Sequence, residues 1–301
     1  MTAECSGDDM DDKIILTVFT DPMMGLSYES EPILERLQRE YDGQLSIRYV
    51  MSVLVRDVTD FMTPEERVME PEAGIRRYCM RLAQIYKSEE SIGGLPIHMD
   101  GFRLFDEEHR SSYPLCIAYE AAKLTAPEKA EAFLYRLRYA TIVLTRQTTK
   151  EEELLQVAKC AGLDESAFCR RLHDGTAAAE FQEDLRYTRS LGIRGLPAYL
   201  VQVGERRVLI NALAGFETIA HAIRKLSYGR ILPKKAKADH KRVETLLQRH
   251  PLISRIELCE ALSAREDEIR ALLRPYLERG SVTEENGFFR TTELFSWKAE
   301  S

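Results

Sequence analysis

The sequence predicts an α/β domain split by a large helical insertion and followed by a small α+β module, and three observations carry that prediction. A strand, a helix and a second strand open the chain. Strand character returns only after a long helical block. A stretch rich in Pro, Gly and Lys then precedes three helical patterns and a hairpin.

Taken in order, "KIILTVF" is a buried strand over Ile14 to Phe19, a continuous apolar run too short for a helix. Tyr28 to Glu40 sets Ile33, Leu34 and Leu37 at helical spacing, and "QLSIRYVMSVL" alternates as a second strand. A β-α-β opening requires those strands to be parallel. From about residue 63 to 190 the pattern is helical through "GIRRYCMRLAQIYKS", "SYPLCIAYEAAKL", "EKAEAFLYRLRYATIVL", "KEEELLQVAKCAGL" and "ESAFCRRLHDG", punctuated by Pro114, Pro127, Gly162 and Gly175. "PAYLVQV" and "RRVLINAL" are strands joined through Gly204 and Glu205, a two-residue turn, and "FETIAHAIRKLSY" is a helix. "GRILPKKAKADHK" has no apolar period, which places a solvated tether at residues 229–238. Beyond it "HKRVETLLQRH", "SRIELCEAL" and "REDEIRALLRPYLERG" are helical, and "SVTEENGFFRTTE" is a hairpin turning at Asn286 and Gly287, which together make the order of a winged helix. The expected organisation is a disordered tail (1–12), a main domain (13–228), the tether and a terminal module (239–301).

Composition narrows the function. A net charge of −7 argues against general affinity for nucleic acid or anionic membranes. No run approaches the roughly 18 apolar residues that span a bilayer, and "MTAECSGDDMDD" is acidic where a leader would be basic, so a cytoplasmic protein without membrane contact is expected. The six cysteines form no C-x-x-C and no zinc spacing; a reducing compartment keeps them as thiols, mostly buried, with Cys5 in the tail. No phosphate-cradling loop, H-E-x-x-H or EF-hand pattern occurs, so the motifs call for no metal.

Four segments carry a resemblance. The strand ending in "TDPM", the helix start "YESEPIL", the insert "SSYPLCIAYEAAKL" and the late "GIRGLPAYLV" together resemble the DsbA-like thioredoxin-fold proteins over residues 13–228. In the redox members of that family the turn reads D-P-M-C-x-x-C-Y, which sets the first cysteine at Met24 and the second at Ser27. Methionine has no ionisable proton and a serine hydroxyl cannot resolve a mixed disulfide, so dithiol exchange at this turn is excluded. Glu29, Glu31 and Glu35 follow in the first helical turns, where carboxylates suit the helix dipole but oppose a thiolate. Ser27 is expected as the helix N-cap and Met24 as a polarizable contact. The resemblance further implies that Pro197, in "GLP", is the cis proline facing the turn and presenting the backbone of Leu196 to an extended chain or to glutathione.

The function expected from these residues is non-catalytic, adaptor-like binding of a peptide, a protein or a thiol ligand. Its groove would lie between Met24, Gly25, Leu26, Ser27 and Tyr28 on one side and Leu196 and Pro197 on the other. Thioredoxin-fold adaptors that deliver proteins to bacterial proteases are the precedent. No cofactor is required, although glutathione fits the fold. One alternative is a divergent thiol-disulfide oxidoreductase or glutathione-dependent isomerase working through Ser27, His109 or a remote cysteine; the related isomerases use a serine at the first turn position, which is Met24 here. His109, beside Glu107 and Glu108, reads as a surface residue. Another alternative is a ligand-sensing regulator whose terminal module binds DNA, against which stands the acidic start "AREDEIR" of its third helix.

Overall fold

A computed structural model describes residues 13–235, 237–250 and 252–292; the tail read as disordered lies outside them. Strand β1 (Ile14–Thr20) leads through a turn into α1 (Gly25–Tyr28) and α2 (Glu31–Glu40), and β2 (Leu45–Met51) follows. β1 and β2 pair in parallel from Ile14↔Leu45 to Thr20↔Met51. The single helix read over Tyr28 to Glu40 is in fact two, broken at Glu29 and Ser30. Pro32 sits in the first turn of α2, where its missing N–H costs nothing, but it could not continue a helix from α1 because its ring would strike the preceding turn.

Seven α-helices lie between Pro64 and Ser190, interrupted by a non-helical stretch at residues 94–112. They are α3 (Pro64–Arg67), α4 (Pro71–Gly93), α5 (Tyr113–Thr125), α6 (Ala130–Ile142), α7 (Glu151–Cys160), α8 (Glu165–His173) and α9 (Thr176–Ser190). Phe133, Leu137, Phe168 and Phe181, all fully buried, are their shared interior. The chain then returns through β3 (Ala198–Val203), β4 (Arg206–Ile210) and α10 (Phe216–Leu226). The sheet order is β2-β1-β3-β4, with β3 antiparallel to both β1 and β4. Gly204 turns the β3-β4 hairpin at φ +58°, a left-handed value that a glycine adopts without steric cost. β1 is buried almost throughout, which is why it reads as an unbroken apolar run.

The terminal module comprises α11 (His240–Arg249), β5 (Leu252–Ser254), α12 (Arg255–Ala261), α13 (Glu266–Glu278), β6 (Val282–Glu285) and β7 (Phe288–Thr291), with sheet order β5-β7-β6. Strand β5 was not legible, since three residues cannot show alternation. Ser254 ends it and caps α12 in a reciprocal capping box with Glu257. The module has its own core around Leu246, Leu258, Ile269 and Phe289. The approach to it touches the main domain at two points, where Ile231 is buried in the main core and the Lys234 N–H donates to the Glu40 carbonyl at 2.7 Å, while Leu232, Lys234, Lys235 and Lys237 are exposed.

Candidate functional site

β1 delivers the turn to the edge of the sheet and β3 starts beside it, because Phe19 pairs with Ala198 directly after the Leu196–Pro197 bond. That bond is cis. The chain leaving β1 and the chain entering β3 are therefore neighbours, which sets Thr20 to Tyr28 and Leu196 to Pro197 side by side.

The turn is sealed. Met24 is 6% exposed, Ser27 2% and Tyr28 1%; Gly25 and Pro197 are also buried, and only Leu26 and Leu196 are half-buried. Met24 and Tyr28 are therefore core residues and not the open wall of a groove. The cover comes from the insertion. α4 lies against α1, the Tyr86 hydroxyl donates to the Met23 carbonyl at 2.5 Å, and a Cβ on Gly25 would meet the Tyr86 ring and the Glu89 carboxylate. At the far end of α4, a Cβ on Gly93 would lie 2.2 Å from the Glu29 carbonyl, so helix and turn touch backbone to backbone. The Glu29 carboxylate accepts the N–H groups of Gly93 and Leu95 at 2.8 and 3.2 Å, and burial pushes its pKa up to about 8. Tyr28 donates to the Pro96 carbonyl at 2.9 Å.

Ser27 is not a cap. It lies inside α1, whose N-cap position is Met24 with no side-chain bond, and its oxygen accepts from the Thr20 hydroxyl at 2.7 Å. Thr20 in turn accepts from Arg138 Nη2 at 2.8 Å, and the same guanidinium pairs with Glu31. A serine held as an acceptor beneath this network, with no base bonded to it among the described residues, lacks the arrangement that activates a nucleophile. His109 stands apart, its Nδ1 2.8 Å from Asp106 Oδ1 on the loop before α5. Burial would raise the Asp106 carboxyl, but hydrogen bonds from Gln147 and His109 hold it down at about 2.

Two features carried no sequence signal. Asp21 is fully buried; Oδ1 accepts from the Met23 N–H at 3.0 Å, and Oδ2 accepts from the Leu54 N–H at 2.7 Å and the Ser112 hydroxyl at 2.5 Å. Desolvation nevertheless pushes its pKa up to about 6. The second feature is the seat of the terminal module. α12 packs on α2, and α2's polar face is spent on that contact: Glu35 lies 2.9 Å from His250 Nε2, Arg36 is 2.8 Å from Glu260, and the Ser263 hydroxyl donates to Glu40 at 3.2 Å. Tyr135 of α6 donates to Glu257 at 2.7 Å, and burial pushes Glu257 up to about 7. Glu31 and Glu35, read as carboxylates that suit the helix dipole, are buried and paired with residues far along the chain, Arg138 and His250. At the start of α13, the N-cap Arg265 pairs with Asp267 and Arg270 with Glu266.

Among the described residues no helix is long and apolar enough to cross a membrane. The ClpXP adapter protein SpxH of Halalkalibacterium halodurans is 27% identical over 182 residues, which are 60% of this chain and 56% of that protein. SpxH of Bacillus cereus is 24% identical over 260 residues, 85% and 82% of the two chains. The chain thus spans little more than half the length of the first of these relatives. Among solved structures, the cytosolic disulfide reductase DsbM from Pseudomonas aeruginosa superimposes with a TM-score of 0.53 at 19% identity, covering 71% of this chain and 97% of that one, a likeness of fold alone. The family described as thioredoxin matches residues 17–218. With that match over most of its length, with the β2-β1-β3-β4 sheet and with a DsbA-like helical insertion, the chain belongs to the thioredoxin family.

Proposed function

We propose that this chain is a redox-inactive adaptor, a thioredoxin-fold protein that holds a protein partner and exchanges no disulfides. One observation carries the reading: the positions that the resemblance assigns to the redox cysteines hold Met24 and Ser27, and both are buried, 6% and 2% exposed. A turn with no thiol and no access has lost both requirements of exchange chemistry. The relatives named as ClpXP adapters supply the class of partner, an unfoldase-protease complex together with the protein handed to it. In its finer form the reading places a bound segment along Leu26 and Leu196, the half-buried apolar residues beside the turn. Glutathione is disfavoured because the Ser27 hydroxyl is buried and already bonded to Thr20. The paired arginines at the start of α13 disfavour DNA.

Insulin-disulfide reduction by the purified chain tests the first half of the reading. The expected rate equals that of a variant with every cysteine replaced by serine. A rate above that baseline, abolished by any single Cys→Ser change or by Ser27→Ala, overturns it.

A further inference from the structure

The helical insertion carries a donor set far from the turn. α7 and α8 are joined by residues 161–164, where Gly162 turns the chain at φ +71° and Asp164 caps α8 by accepting from the Ala167 N–H at 2.6 Å. Two helices of ten and nine residues on so short a link return the chain on itself, so the last turn of α8 faces the first turn of α7. Leu154, Val157 and Phe168 are buried at 1% exposure or less and hold the pair in place. Cys169 and His173, four residues apart, then lie on one face of α8. Opposite them stands Glu151, the first residue of α7, with Oε1 3.0 Å from His173 Nε2.

We infer that Glu151, Cys169 and His173 form a zinc site that clasps the first turn of α7 to the last turn of α8. Their donor atoms all lie within 4.8 Å of one another. Tetrahedral zinc, with bonds of about 2.0–2.3 Å, sets its donors roughly 3.2–3.7 Å apart, so closure needs only small side-chain rotations. His173 and Glu151 are exposed and Cys169 is half-buried, which leaves those rotations free. A thiolate, an imidazole and a carboxylate form a mixed soft and borderline set that suits zinc and disfavours calcium and magnesium. The two anionic donors balance the charge of the ion, and Cys169 releases its proton on binding. Three protein ligands leave the fourth position to water. The sequence offered one signal, a Cys-x-x-x-His spacing on a helix, which a search for paired cysteines passes over.

Titration of the reduced full-length chain with Co²⁺ tests the assignment. The expected result is a thiolate-to-cobalt charge-transfer band saturating at one equivalent, bleached by Zn²⁺ and weakened as pH falls. Cys169→Ser should remove the band. His173→Gln should lower affinity by more than the about 10–100-fold that loss of an outer-shell partner costs. Cys5→Ser, Cys160→Ser and Cys259→Ser should leave the band unchanged. Circular dichroism confirms that each variant is folded, and Zn²⁺ should raise the melting temperature of the parent but not of Cys169→Ser. No saturable band, or a band that survives Cys169→Ser or is lost in another cysteine variant, overturns the site.

Discussion

Asp21 holds its carboxylate out of water between β1, the segment at Leu54 and the start of α5, and its ionisation is therefore tied to folding. Its folded pKa of about 6 lies above the ordinary 3.8, so its contribution to stability is fully present below about pH 3.8 and is lost as pH rises through about 6. The shift corresponds to about 2–3 kcal/mol. Denaturant unfolding of the parent and of Asp21→Asn at pH 4 and pH 7 checks this. The stability of the parent relative to the variant should fall by that amount between the two values, and an unchanged difference would show that Asp21 is not the titrating group. Buried like this, Asp21 ties the turn to the insertion through Ser112.

The α1 turn holds two side chains at the spacing that a disulfide needs, with no thiol at either. Met24 at the N-cap and Ser27 in the first turn of α1 stand one helical turn apart, inside the Cα separation of about 4.4–6.8 Å that a disulfide bridges. The double substitution Met24→Cys with Ser27→Cys should therefore pair as a disulfide when the unfolded variant is refolded in mild oxidant, as counted by free-thiol titration against the parent. Two thiols persisting in a folded variant would contradict the geometry. α2 makes a different prediction, because it holds the terminal module through Glu35 and His250. Burial lowers the His250 pKa, but Glu35, Glu257 and Glu131 around it reverse that and hold it above 6.5. Raised in the fold, it stabilises the contact below about pH 6.5, and that stabilisation is lost as pH rises through the folded value. Hydrogen exchange, corrected for intrinsic rate, should show α2 and α12 better protected at pH 6 than at pH 8. His250→Gln should narrow the difference, leaving the part that comes from Glu257, whose raised pKa acts in the same direction.

At the scale of the whole molecule, the sheet and the insertion were legible because their signals are local. β1 is an apolar run bounded by turn residues, Gly204 marks a hairpin, and the insertion repeats apolar residues at helical spacing. The absence of thiols at Met24 and Ser27 could also be read directly. What could not be read depends on contacts between distant segments. Nothing in "GLSY" reports that Tyr86 and Gly93 of α4 close over it. Nothing near Glu31 or Glu35 announces Arg138 or His250, so carboxylates that look exposed in sequence turn out to be buried ion-pair partners. Contacts of this kind also bring α12 of the terminal module onto α2.

The proposal that this chain is a redox-inactive adaptor is tested most directly by its association with ClpXP, the partner named for its relatives. Sedimentation velocity of fluorescently labelled chain with purified ClpXP should show the label moving with the large complex. The interaction should persist in Ser27→Ala and in the variant with every cysteine replaced by serine, since neither hydroxyl nor thiol takes part. Label that sediments as free chain at every ClpXP concentration, or that joins the complex only when the cysteines are intact, would contradict the account.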